Sequence, residues 1–421
     1  MKAKLILPII MLVVVSMFAG NWIYGKMSAK KLDAYLKQFP DNSQMQYAEV
    51  KVNPLWSKIT FNDFSFTDPN TKITIKSEVL YVTMKHSEAL EISKTRRIDK
   101  LTKLGLDCRQ LKIFEDDKLI LVSENTLFDF KGDMSQRIFE KMDKQFPGNQ
   151  QYISLNIKDG EFKGFPLGKG HNGNILAGLN EIKSAEFKML FKPDEKEIEI
   201  EKVEIKVAHL ILKGKADINY LGQGLNDFSA LKIDMDYAVN LTDEMTWGDS
   251  RTTGAYTLQS FSSAFEGDFE FDDKGELIIP SLEAKLSFNL KGVTVEYDED
   301  VKNNIDMSLS VLGVSSSELS VNEFSFDASL NSGKCIVENT KLVLPLFEAS
   351  LRASLNLKSG VLEDSDIDEM EMRITNINPN LNEAVNNLAG TFGLKIPRDG
   401  EDIVLEVKGS VENPKVKGIH Y

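Results

Sequence analysis

The pattern that most restricts the fold is a period-two alternation that repeatedly changes phase. Val203, Ile205 and Val207 alternate with Glu204 and Lys206, and the apolar parity then moves to Leu210, Leu212, Ala216, Ile218 and Tyr220, with the shift near His209. A second run reads Leu282, Ala284, Leu286, Phe288, Leu290, then Val293, Val295 and Tyr297, shifting at Gly292. A third reads Leu342, Leu344, Leu346, then Phe347, Ala349, Leu351, Ala353, Leu355 and Leu357, shifting beside Pro345. A period of two belongs to strands with one apolar face. A one-residue shift turns every later side chain to the other face unless a bulge or strand break intervenes. Long strands bending at Gly or Pro predict a curved sheet. Between the runs stand Asp68-Pro69-Asn70, Lys158-Asp159-Gly160, Asp272-Asp273-Lys274-Gly275, Asn331-Ser332-Gly333 and Arg398-Asp399-Gly400, which predict antiparallel hairpins.

Helical spacing is scarce. Ile138, Phe139, Met142 and Phe146 share a face over residues 135–146, and Asn380 is placed to cap a helix carrying Leu381, Ala384, Val385 and Leu388. One internal echo stands out. Ile59-Thr60-Phe61-Asn62-Asp63-Phe64-Ser65-Phe66 parallels Leu319-Ser320-Val321-Asn322-Glu323-Phe324-Ser325-Phe326, each with an Asn-acid pair between two alternating half-strands. Chance and repetition explain one such match about equally well. The glycine-rich stretch 149–174 is a soft boundary.

Leu5 to Gly25 contains no charge, and as a helix these 21 residues reach roughly 30 Å, the thickness of a bilayer core. Leu5, Ile9, Leu12, Val15 and Phe18 supply its apolar surface, and Trp22 and Tyr24 stand at its outer end, where amphipathic rings favour the headgroup layer. Lysines flank both ends and leave orientation open by charge; an N-terminus inside is expected from the large remainder. A cleaved signal peptide fits less well, because Met17 precedes Ala19 and Phe18 precedes Gly20 at the positions where small residues are required. Beyond the anchor, Leu32, Tyr35, Leu36 and Phe39 form a stripe ended by Pro40, expected either on the bilayer or, more commonly, docked on the next domain. The expected architecture is therefore mostly β: an N-terminal transmembrane helix, then an extended, curved antiparallel sheet forming a taco-like groove, with a few short helices. The expected divisions are residues 1–31, 32–148 and 149–421.

Catalytic constellations are missing from the sequence. His86, His171, His209 and His420 have no metal spacing, and no nucleophile elbow, phosphate loop or dinucleotide fingerprint occurs. Asp364, Asp366 and Asp368 have the first spacings of a calcium loop but lack its later Gly and Glu, and strand alternation accounts for them. No catalytic, cofactor-binding or metal-ligating set is expected, and no cofactor. Cys108 and Cys335 either pair or remain buried thiols. The net charge of −14 argues against nucleic acid as a partner. Residues 1–31 hold five lysines and no acid, so removing them takes −14 to −19 for the remainder, a body repelled from lying flat on anionic lipid.

An anchor followed by Val52-Asn53-Pro54-Leu55-Trp56-Ser57-Lys58-Ile59-Thr60-Phe61-Asn62-Asp63-Phe64-Ser65-Phe66 resembles the opening of AsmA-like envelope proteins. The stretches 342–357, 376–388 and 399–416, ending Gly409-Ser410-Val411-Glu412-Asn413-Pro414, resemble that superfamily's C-terminal unit, closest to the type II secretion protein N (GspN) family. The resemblance covers the anchor, the first strand unit and about the last hundred residues. It implies a single-pass inner-membrane protein with its bulk in the periplasm, acting in envelope biogenesis by conducting lipid or by supporting a type II secretion machine through protein contacts. In the first case the candidate groove face is Leu282, Leu286, Phe288, Leu290, Leu351, Leu355 and Leu357, and membrane lipid is the partner. An open trough and a closed core want the same residues at the same spacing, so the sequence leaves both standing.

Overall fold

The computed structural model describes residues 3–37, 44–68, 71–95, 101–133, 141–142, 144–163, 181–249, 254–310, 313–358, 365–391 and 393–417; within these, the side chains of residues 3–15, 35, 93, 247–249 and 254 are not described. It is mostly β, with a large open antiparallel sheet and four helices among the described residues. The chain divides into two compact units, the first comprising residues 1–165, 180–205 and 222–228, the second the remainder.

In the first unit, α1 (Ala3–Leu36) leads into β1 (Met45–Gln46), β2 (Glu49–Asn53), β3 (Lys58–Thr67) and β4 (Ile73–Met84). After α2 (His86–Thr95) come β5 (Lys103–Glu115), β6 (Lys118–Lys131), β7 (Gln151–Phe162), β8 (Glu181–Lys192) and β9 (Glu197–Val207). β1 and β2 both pair with β3, and from β3 to β8 each strand pairs antiparallel with the next. The unit runs on past the 149–174 stretch because β7 pairs with both β6 and β8.

α1 docks on this unit along one stripe. Asn21, Gly25, Leu32 and Leu36 recur on a single helix face. Gly25 is buried against β2, where a Cβ would come within 2.4 Å of the Val52 carbonyl oxygen, so only glycine permits this approach. Asn21 Nδ2 donates to Asn53 Oδ1 at 3.0 Å, while its Oδ1 accepts from the Leu55 amide at 2.8 Å. Leu32 and Leu36 pack on the core of Val50, Phe61 and Leu80, the docked one of the two placements open to that stripe. Tyr47 donates to Asp33 Oδ1 at 3.0 Å, and burial together with that carboxylate pushes its hydroxyl up to about 12.

The expected transmembrane helix has this counterpart only in part. α1 runs unbroken through the 31/32 division. Leu5, Ile9, Leu12 and Val15 lie outside the residues whose side chains are described, and Phe18, Trp22 and Tyr24 are exposed. No helix among the described residues is long and apolar enough to cross a membrane. The helix expected at 135–146 also lies largely outside the described residues.

The long strands of the first unit bend by a common geometry. Asp63, Gln110 and Asp159 have φ of 50, 51 and 50° inside β3, β5 and β7, yet the flanking pairs keep register, as at Asn62↔Val79 and Phe64↔Ser77. The same holds at Arg109↔Asn125 and Leu111↔Ser123, and at Asn125↔Lys158 and Ser123↔Gly160. A left-handed residue rotates the chain without adding a residue, so Phe61 and Phe64 point to the same side. The three positions therefore form one transverse crease. Ser77 and Ser123, both 3% exposed on the intervening strands, satisfy carbonyls at this crease. Ser77 Oγ donates toward Val79 O and Arg109 O at 2.9 and 2.8 Å, and Ser123 Oγ toward Asn125 O and Lys158 O at 3.1 and 3.0 Å. Lys158-Asp159-Gly160 is thus not the expected turn but the crease of β7, and Asn62-Asp63 lies inside β3.

The second unit is a longer meander. It comprises β10 (Leu210–Leu221), β11 (Ser229–Leu241), β12 (Met245–Asp249), β13 (Gly254–Glu270), β14 (Glu283–Tyr297), α3 (Glu299–Leu309), β15 (Val321–Asn331), β16 (Lys334–Val343), β17 (Glu348–Asn356) and β18 (Asp366–Thr375). α4 (Pro379–Thr391), β19 (Arg398–Asp399), β20 (Asp402–Ser410) and β21 (Pro414–Val416) complete it. Of the three phase shifts read from sequence, two are connections between strands. β9 ends at Val207 and β10 begins at Leu210, and residues 344–347 turn β16 into β17, with the Leu344 amide donating to Phe347 O at 2.9 Å. The third lies within β14, where Gly292 has φ +64°. α4 is present as expected, but its first turn is capped by Asn378, whose Oδ1 accepts from the Asn380 amide at 3.0 Å; Asn380 instead donates to Gly313 O.

Gly292 gives a direct test of the crease mechanism. An added Cβ would meet Gln259 Oε1 at 2.3 Å and would also hold a left-handed residue. Gly292→Ala is expected to cost about 1–3 kcal/mol, read as a lowered denaturant midpoint. An unchanged midpoint contradicts the assignment.

Candidate functional site

Directly opposed residues in an antiparallel sheet point to the same side, so the registers of the second unit can be followed from strand to strand. Tyr237 opposes Phe265, Phe265 opposes Leu286, and the row continues through Ala328, Val337, Ala353 and Met370 to Val407. It crosses eight strands with the Tyr237 hydroxyl as its one polar group, and in the row beside it Phe288 opposes Ser263 and Leu351 opposes Thr340. On one side of it runs Phe261, Leu290, Phe324, Leu342, Ala349, Ile374 and Ile403; on the other run Gly267, Ala284, Leu330, Cys335, Leu355, Ile367 and Gly409. Strand spacing makes the eight-strand row about 34 Å wide, and Ala284 to Leu290 is about 20 Å along β14. A face of that size exceeds the scattered apolar exposure of an ordinary surface.

The candidate residues on β14 and β17 belong to this single face. Leu286, Phe288 and Leu290 alternate on β14; Leu351 and Leu355 alternate on β17 beside Ala349 and Ala353. The intervening strands join the two groups through Ala328 to Val337 and through Leu330 to Cys335. All five leucine and phenylalanine residues are half-buried, as is Leu357 just past β17, whereas Leu282 is buried at 5%. Ala353, Ile367 and Ile403 are buried as well. A sealed two-layer core would bury the central side chains almost completely. Half-burial across most of the rows is the signature of a face covered by its own neighbours and only partly by anything else.

Aromatic side chains concentrate at the centre. Phe288 packs edge-on against Phe261 at 5.3 Å and tilted against Phe324 at 5.6 Å, and Phe265 stacks on Tyr237 and Phe269 at 5.3 and 5.7 Å. Phe261, Phe265 and Phe324 were not among the residues singled out from sequence. The signal for Phe324 was the Phe-Ser-Phe of the internal echo, and for Phe261 and Phe265 their four-residue spacing on one strand face. The opposite face of the same strands is polar, with Glu323 lying 3.2 Å from both Lys291 and Lys341, which hold its carboxyl below the usual range.

Cys335 stands on the apolar face, and burial raises its thiol; Cys108 in the first unit is raised to about 11 by burial and by Asp107. Both are free, the thiol alternative of the two left by sequence. Asp366 and Asp368 lie on β18 with Lys358 at 2.6 Å and Lys334 at 3.9 Å, respectively; Asp364 lies outside the described residues. His209 Nδ1 is 3.1 Å from Asp243, and His86 Nδ1 is 2.9 Å from Ser57 Oγ. His171 and His420 lie outside the described residues.

No protein-family model, curated protein or solved structure matches the chain.

Proposed function

We propose that this chain is a non-enzymatic, membrane-anchored protein that holds lipid along the apolar sheet face of its second unit. The observation that carries the reading is the set of apolar rows crossing seven or eight strands, mostly half-buried and interrupted by hydroxyls only at Tyr237, Ser263 and Thr340. An acyl chain laid across them would leave water at about 0.8 kcal/mol per CH₂, and a few methylenes suffice for useful affinity. The polar back of the same strands leaves one face for cargo and one for water. The anchor is proposed from the 21 uncharged residues Leu5 to Gly25, and the inner-membrane, periplasmic setting and the place in envelope biogenesis from the sequence resemblance. The test is lipid retention. The full chain, extracted into polymer-bounded discs and then transferred to detergent-free buffer, is expected to carry phospholipid in its mass spectrum. A chain that carries none favours the other proposal from sequence, a secretion scaffold acting through protein contacts.

A further inference from the structure

The point where α1 leaves the first unit is marked by a cluster of side chains that the lipid-holding face does not use. Residues 16–20 of α1 are exposed, and contact with the sheet begins at Asn21. Beside this point the connection between β2 and β3 is a short helical turn, Pro54–Trp56, whose Leu55 and Trp56 are 46% and 68% exposed. Two apolar side chains at the tip of a hairpin contribute nothing to the unit's own core. Trp22 is 61% exposed on the adjacent turn of α1, with Lys26 Nζ 4.1 Å from its ring centroid. The tip is not a loose loop. Asn21 grips Asn53 and the Leu55 amide, and Gly25 lets the helix lie directly on Val52. Leu55 and Trp56 therefore keep a fixed height relative to Trp22.

We infer that Leu55 and Trp56 form, with Trp22, an interfacial collar that seats the first unit on the headgroup layer of the bilayer holding α1. The occupant is argued from continuity and charge. The collar lies where the uncharged Leu5–Gly25 stretch meets the folded unit, so any bilayer taking that stretch brings its headgroups to this level. The chain is acidic overall, yet no Asp or Glu occurs in residues 1–32 or 50–62, where Lys26 and Lys58 stand, while Lys51 is paired with Glu49 at 2.9 Å. Anionic headgroups are thus met by a locally basic surface, while the acidic remainder is held off. Tryptophan suits this layer because its ring is apolar and its N–H stays in reach of water. The inference rests on the anchor proposed above and adds that the hairpin tip, not the helix alone, touches lipid.

Tryptophan fluorescence of the full chain separates the two claims. The chain has three tryptophans, so Trp22→Phe with Trp247→Phe leaves Trp56 as the sole reporter, and Trp56→Phe with Trp247→Phe leaves Trp22. Each is reconstituted in vesicles of phosphatidylcholine and phosphatidylglycerol carrying a nitroxide quencher at the headgroup or deep in the acyl chain. The expected result is blue-shifted Trp56 emission, quenched strongly from the headgroup level and weakly from the deep position, with Trp22 quenched as well. Quenching of Trp22 with water-like, unquenched Trp56 overturns the collar and keeps the anchor. Quenching of neither overturns both. Leu55→Ser in the Trp56 reporter controls for folding: it is expected to lower Trp56 quenching while the far-ultraviolet dichroism stays unchanged.

Discussion

Phe288→Glu is expected to lower the phospholipid retained by the full chain at least tenfold. Phe288 lies between Phe261 and Phe324 at the centre of the half-buried rows, so a carboxylate there faces the position assigned to acyl chains. A tenfold loss corresponds to only about 1.4 kcal/mol, and a charge placed against hydrocarbon costs more than that. Ser287→Glu is the matched control. Ser287 is the neighbouring residue on the opposite face of β14 and is exposed, so this charge enters water and lipid retention is expected to stay unchanged. Phe288→Leu keeps apolar volume and is expected to retain most of the lipid. Equal loss from 287 and 288 would show that charge or stability, not the face, governs retention.

Phe61→Ala is expected to be the most destabilising of the substitutions considered, by about 3–5 kcal/mol. Phe61 is 6% exposed in the core with Val50 and Leu80 and packs edge-on to Tyr47 at 5.4 Å. Removing its ring opens a cavity under Leu32 and Leu36, the residues that fasten α1. The measurement is chemical denaturation of the full chain followed by proteolysis. The first unit's transition is expected to move to lower denaturant, and cleavage near Asp33 to Lys37 to accelerate under native conditions. A shift below 1 kcal/mol would mean that α1 is held by the Asn21 and Asp33 hydrogen bonds alone.

The sequence conveyed face and period more faithfully than it conveyed what interrupts them. Alternation located β9, β10, β14, β16 and β17, and the internal echo fell on β3 and β15, because a one-sided sheet needs Leu, Val, Ile and Phe at every second position. Turns at Asp272–Gly275, Asn331–Gly333 and Arg398–Gly400 were legible because left-handed Gly275, Gly333 and Gly400 stand where the chain must reverse. The same residue chemistry misled at Lys158-Asp159-Gly160. An Asp that tolerates positive φ serves equally in a hairpin and in a register-neutral crease, and only the partner strands distinguish the two. Two of the parity shifts proved to be turns between strands, at 208–209 and 344–347, and the third is left-handed Gly292 inside β14, the same device by which Asp63, Gln110 and Asp159 crease β3, β5 and β7. The joining of Leu286 to Ala353 was not legible, since it passes through Ala328 and Val337, and which strands pair, in which register, is not written in the alternation of any one strand. Likewise, Leu32 and Leu36 announced a docked stripe, but Gly25 and Asn21, which set where the helix leaves the unit, carry no apolar pattern.

The most direct test of the central claim is site-specific photocrosslinking of the full chain in bilayers. Benzoylphenylalanine is placed at position 288 on the apolar face or at position 287 on the polar one. The account predicts that light links phospholipid to the 288 variant and leaves the 287 variant free of lipid adducts. Adducts at both positions to the same extent, or adducts at neither with only crosslinks inside the chain at 288, would contradict a lipid-holding face and point to a sealed core.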